Sequence, residues 1–238
     1  MSIHFDRTIF FDAVRDSLFG GKLTQGQVNG QEAILLCWEV RGNLISDDLR
    51  HLAYELATTK HETASTMMPI EEYGHGAGMS YGVPDPETGQ TYYGRGFVQL
   101  TWRDNYKRAT DELHLAGEYD LEWHAERALG PLIAAAIMFM GMAHGWFRSS
   151  DGKPETLSRY FNDDTDDPFE AREIINGDKN KVPSWSGGVS IGNLIADYHR
   201  DFLAALTASV IEPEPEPIAR VDIQVSGPVT VAVNRIRA

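Results

Sequence analysis

The sequence predicts a mainly α fold with one small β excursion, on three observations. Apolar residues recur three and four apart through most of the chain, and alternation is confined to a few stretches. The longest apolar run, LIAAAIMFMGMAHGWF from Leu132 to Phe147, follows Pro131, a residue suited to a helix's first turn. With 238 residues, 42% of them hydrophobic, the chain can bury one sizeable core.

In order, Phe5 to Leu18 and Gln27 to Val40 read as two opening helices separated by the glycine-containing GGKLTQG. In SDDLRHLAYELATTKHE, Ser46 is the expected N-cap, two acids fill the first turn, and Leu49, Leu52, Ala53 and Leu56 share a face. Lys60 and His61 close that helix, which places Glu62 at its C-terminus. From Gly74 to Leu100 the composition turns to Gly, Tyr and Pro, and YGVPDPETGQTYYGRGFVQL predicts two short strands around the Pro-Asp-Pro-Glu-Thr-Gly turn. Helical spacing resumes over Trp102 to Leu113 and Leu121 to Leu129, then in the helix begun by Pro131, expected to be the buried centre of the core. Asp167-Pro168-Phe169-Glu170 predicts another helix start, and a last long helix runs from Val189 to Ser209. The working domain is therefore residues 1–210. A Pro/Glu spacer, IEPEPEPI, follows over 211–218. The valine-rich tail 219–238 alternates like a β-hairpin, which is marginal alone and so should pack on something or self-associate.

Several function classes are excluded by composition. A net charge of −14 with no Lys/Arg cluster argues against nucleic acid as a partner. The single cysteine, Cys37, lies in the apolar run AILLCWEV and reads as a buried thiol, so no disulfide forms within the chain. The opening MSIHFDRTIFFDAVRDSLFGG threads charges through its apolar positions, unlike a signal peptide, so synthesis in the cytoplasm is expected. The run from Leu132 falls short of the ~20 residues needed to span a bilayer, so no stable membrane insertion is expected.

No metal or other cofactor is expected either. His61-Glu62 opens like a zinc-peptidase signature, but the position four after His61 is Ser65. NDDTDDP lacks the glycine and the closing glutamate of a calcium loop and reads as a solvated loop with a helix cap.

Paired carboxylates remain as the available chemistry. In KHETASTMMPIEEYG, Glu62 sits at a helix C-terminus beside Met67 and Met68, surroundings that favour a protonated acid, while Glu71 and Glu72 lie past a proline-containing turn in a wetter setting. Hydrolysis of a glycosidic bond needs such a division: one carboxyl donates a proton to the leaving oxygen and another, ionised, activates water or attacks.

Three motifs occur in order: HETASTMMPIEEYG, YYGRGFVQLTWRDNY and EIINGD. Together, over about residues 1–205, they resemble the catalytic domain of glycoside hydrolase family 19, most closely its compact phage and bacterial endolysin-type branch. The resemblance implies a two-lobed, lysozyme-like helical fold and an inverting enzyme acting on β-1,4-linked glycan strands of peptidoglycan, or on chitin. It further implies an enzyme that acts on the cell wall after release from the cytoplasm. A glycan-binding or particle-structural protein without catalysis is the alternative of another class. By position, the resemblance makes Glu62 the general acid, Glu72 the base and Thr101 the holder of the attacking water; Glu71 is adjacent enough to exchange places with Glu72. Gln99, Asn105 and Asn176 match polar positions that line the family's cleft, His61 and Tyr93 are further substrate-binding candidates, and Arg95 suits pairing with a cleft carboxylate. Tyr81, Tyr92 and Tyr93 either stack on sugars or fill the small sheet. One feature of the family is missing: the last helix, SIGNLIADYHRDF, has no arginine before Arg200.

Overall fold

The computed structural model describes residues 3–40 and 45–211. Among them are seven α-helices: α1 (Arg7–Leu18), α2 (Gln25–Val40), α3 (Leu49–Glu62), α4 (Arg103–Glu112), α5 (Pro131–His144), α6 (Leu157–Tyr160) and α7 (Ile191–Ser209). Two small antiparallel pairs join β1 (Ile70–Glu71) to β2 (Arg95–Gly96) and β3 (Ser149–Ser150) to β4 (Lys153–Pro154). The mainly α prediction holds. The spacer and the tail lie outside the described residues.

Helix α1 starts where Asp6 accepts the backbone N–H groups of Thr8 and Ile9, two of the donors a helix start leaves unpaired. Helix α3 starts later than Ser46 predicts. Asp48 caps it by accepting from Arg50 N, and Ser46 instead accepts from Asp48 N, so the two acids precede the helix. The β pairing also differs from the prediction. The Pro-Asp-Pro-Glu-Thr-Gly turn forms around Asp85, whose carboxylate accepts from Glu87 N and Thr88 N, but its flanks are not strands. Strand β2 pairs instead with β1, with Glu71 opposite Arg95 and Ile70 opposite Gly96. Leu121 to Leu129 forms only a short 3₁₀ turn, Ala125–Leu129, and Asp167 caps a 3₁₀ turn, Glu170–Ile174, rather than an α-helix.

Two helices share the centre. α5 packs on α2, with Trp38 edge-on to Phe139 at 5.9 Å between ring centroids. α3 packs on α7, which also covers α1, and every α3 residue from His51 to Lys60 is buried. That burial was not legible from the α3 sequence, which carries Glu55, Thr58, Thr59 and Lys60. Thr59 donates its hydroxyl to the Met138 sulfur, and Lys60 lies over the rings of Phe19 and Tyr198. The two ends of the described body are joined. Asp6 N donates to Ser209 O at 2.7 Å, Ile211 N donates to His4 O at 2.8 Å, and Arg7 pairs with Glu39 and Glu32 of α2.

Candidate active site

The end of α3 is built to turn the chain back on itself. The hydroxyl of Thr63 donates to Thr59 O at 2.7 Å and accepts from Met67 N at 3.1 Å, while Lys60 Nζ donates to Ser65 Oγ at 2.8 Å. Gln27 of α2 reaches across to donate to Ser65 O at 2.9 Å. Met67 is fully buried, and its carbonyl lies so near Gly30 of α2 that a Cβ there would stand 1.5 Å from the oxygen. Only a residue without a side chain admits that approach. The loop after Glu62 is therefore seated on α2 by backbone contact.

Glu62 itself is held by an arginine. Arg172, almost fully buried in the Glu170–Ile174 turn, donates Nη1 to Glu62 Oε1 and Nε to Asp178 Oδ1, the latter at 2.7 Å. Burial opposes the charge on Asp178, yet the Arg172 hydrogen bond and charge hold its carboxyl below the usual range. Beside them, burial and then the Arg172 charge lower the pKa of His61. Glu62 ends α3 as expected, but the apolar surroundings expected for it are corrected to an ion pair. Arg172 precedes the EIINGD motif by one residue and was missed by the sequence reading. Arg200 is exposed and pairs with Asp197 and Asp201.

Glu71 and Glu72 form a second carboxylate centre, joined to the first by residues 63–70. Glu71 accepts from the Tyr93 hydroxyl at 2.7 Å and lies 3.6 Å from Arg95 Nε and 3.5 Å from His75 Nε2. Arg95 is buried, stacked over Tyr93 at 3.7 Å, and its Nη1 donates to Thr91 O and to the Tyr106 hydroxyl. The His75 ring also stacks on Tyr93, at 4.9 Å between centroids. Burial, then the hydrogen bond to Glu71, raises the Tyr93 pKa. Glu72 has different partners: Gly94 N donates to its Oε2 at 3.1 Å and the Tyr81 hydroxyl to its Oε1 at 3.2 Å. The predicted partnership of Arg95 with a carboxylate therefore falls on Glu71.

The polar residues of the second motif brace the same region. Gln99 donates to Ile70 O at 3.1 Å and Gly96 O at 3.3 Å, Thr101 Oγ1 donates to Gln99 O at 2.8 Å, and Asn105 Nδ2 donates to Thr101 O at 2.8 Å. Thr101 is half-buried and keeps the lone pairs of its hydroxyl for an incoming donor. Asn176 is exposed beside the Arg172–Asp178 pair in the chain. Of the three tyrosines, Tyr92 fills structure, donating to Glu122 O at 2.6 Å, while Tyr81 meets the exposed Trp102 edge-on at 5.0 Å. Of the eight non-glycine residues with positive φ among the described residues, six lie in these segments: Ala64, Ser65, Met67, His75, Gln99 and Trp102. Such backbone costs of order 1 kcal/mol or more per residue and concentrates at functional sites. Among the described residues no group of side chains could hold a metal ion, and no helix is long and apolar enough to cross a membrane.

No family model and no curated protein matches the chain. Solved structures do. Chitinase C from Streptomyces griseus HUT6037 superposes with a TM-score of 0.52 at 20% identity, over 85% of this chain and 76% of that one. A glutamate-to-glutamine mutant of chitinase C gives 0.50 at 20% identity, over 85% and 92%. This is the chitinase C fold. A bacterial family 19 chitinase is also similar, at a TM-score of 0.49 and 21% identity over 85% and 94% of the two chains. At such identities the likeness is one of fold. The chitinase C fold accounts for the mainly α architecture and its small sheets, and it agrees with the family resemblance carried by the three motifs.

Proposed function

We propose that the chain is an inverting glycoside hydrolase of the endolysin type, cleaving β-1,4 bonds of peptidoglycan glycan strands. The observation that carries the reading is the placement of Glu62 and of the Glu71–Glu72 pair at the two ends of one braced loop, each with dedicated donors. A displacement by water on the opposite face of the sugar needs two carboxyl groups in different surroundings with room for that water between them. Glu62 is the proton donor. Asp178 shares Arg172 with it, so the guanidinium has a second anion to face when Glu62 carries a proton.

For the base we choose Glu71 over the motif-implied Glu72. Arg95, Tyr93 and His75 converge on Glu71 and fix the direction of its carboxylate. Glu72 ties Gly94 and Tyr81 together. Thr101, with its accepting lone pairs, orients the water, and Gln99, Asn105 and Asn176 meet the sugar hydroxyl and acetamido groups.

Chitin is the second reading, favoured by the similar structures, which are chitinases. Reducing-end release from purified peptidoglycan and from chitin oligomers, by the intact chain and by Glu62→Gln, tests both. Release from peptidoglycan that Glu62→Gln abolishes supports the proposal. Release from chitin alone selects the second reading, and no release from either leaves a glycan-binding protein. Comparing Glu71→Gln with Glu72→Gln assigns the base by which loses more kcat.

A further inference from the structure

Away from the carboxylates, the face formed by α2, α5 and the segment after α4 carries an apolar groove. Two adjoining cavities, of about 350 and 480 Å³, share Cys37, Leu113 and Ala136. Leu36, Val40 and Leu132 stand exposed along the first. Glu112 borders the second. An exposed apolar depression of this size on a strongly acidic chain marks a contact surface.

We propose that its occupant is the chain's own valine-rich segment, residues 219–238. Where the described body ends supports this. Ile211 is paired with His4, whose ring nitrogen lies 3.7 Å from Glu39, the residue before Val40 at the lip of the groove. The six Pro/Glu residues 212–217 have the composition of an extended spacer of about 19 Å. The segment's pattern also fits. Val229, Val231 and Val233 alternate in the sequence, the spacing that shares one face in an extended segment. Arg220, Arg235 and Arg237 against the single acid Asp222 give it a net charge of +2, opposite in sign to the chain as a whole at −14 and to Glu112 at the groove. Tethered this closely, the segment outcompetes a second copy of the chain at any ordinary concentration, because docking is intramolecular. The inference does not depend on the activity proposed above.

Cys37, the sole cysteine of the sequence, lines both cavities as a nearly buried thiol, 6% exposed, and its modification reports on access through the groove. The experiment measures the rate of Cys37 modification by a small thiol reagent in the full chain. It compares the native sequence with the tail variant Val229→Asp, Val231→Asp, Val233→Asp, with the groove variant Leu132→Arg, and with the two combined. Leu132 is half-exposed, so its replacement leaves the core intact, and far-UV circular dichroism verifies this. A segment docked nine-tenths of the time slows modification about tenfold, so each variant is expected to accelerate it by about that factor and the combination no further. Rates unchanged by the tail variant, or independent effects of the two changes, overturn the proposal. So does protection that fades on dilution of a dimeric protein, since the occupant is then a second copy.

Discussion

Glu55 and Glu62 stand seven residues apart on α3, two turns along one face of the helix, and the structure treats them in opposite ways. Glu62 reaches the helix end and receives Arg172, itself shared with Asp178. Glu55 is 2% exposed, and neither its Oε2 nor the nearby Trp38 Nε1 has a hydrogen-bond partner among the described residues. Both groups line a cavity of about 10 Å³ with Ser46 and His51, close to the space one water needs. Burial alone pushes the Glu55 carboxyl well above its usual range. Glu62 meets a cation at the helix end, whereas burial without one favours the neutral form of Glu55. The arginine-paired carboxyl stands where chemistry is proposed, and the one buried beside Trp38 belongs to the packing.

The sharpest break in this comparison is Glu62→Gln, which removes the proton donor and keeps its shape. Loss of a positioned acid lowers kcat by about 10²- to 10⁴-fold, while the same change at Glu55 is expected to leave kcat within about twofold. Arg172→Met comes next. It strands two carboxylates in a partly buried site and is expected to cost about 3–5 kcal/mol in urea-monitored stability, with activity lost alongside.

Acid sharpens the comparison further through His199, whose ring stacks on Phe161 and whose burial depresses its pKa to about 4. The unfolded chain then binds more protons between about pH 6.5 and pH 4, so stability falls as pH drops through that window, by about 3 kcal/mol in total, and His199→Gln flattens the decline. Glu55 has the opposite sign. Its folded pKa is raised, so its contribution is greatest below the normal carboxylate range and declines as pH rises above it. Glu55→Gln removes that decline and is expected to raise Tm at pH 7 by a few degrees, about 2–4 °C for each kcal/mol recovered in a domain of this size. A Tm at pH 7 that drops instead would mean the Glu55 carboxyl has a partner after all.

What the sequence made legible follows from what local pattern can carry. Spacing alone located α1, α2, α5 and α7 to within a few residues, because each has a long apolar stripe or run. Ser46 was the wrong cap because Asp48, two residues on, offers a carboxylate to the same first turn. The two-strand expectation around Asp85 missed that Ile70 and Glu71, from before the glycine-rich stretch, would take β2 as partner; register between distant segments has no local signal. At the candidate site the carboxylates were visible and their partners were not. Arg172 lies 110 residues from Glu62, and nothing near it in the sequence says which acid it will meet. Gly30, which the sequence reading did not single out, is where the loop after Glu62 rests.

The pairing of residues 4–6 with 209–211 has a consequence for handling the molecule. Entry and exit of the described body lie side by side, so a module fused before His4 or after Ile211 leaves from the same pole. A short linker between those points would give a circularly permuted protein with its helices undisturbed, reopened at an exposed turn such as the one holding Gly89.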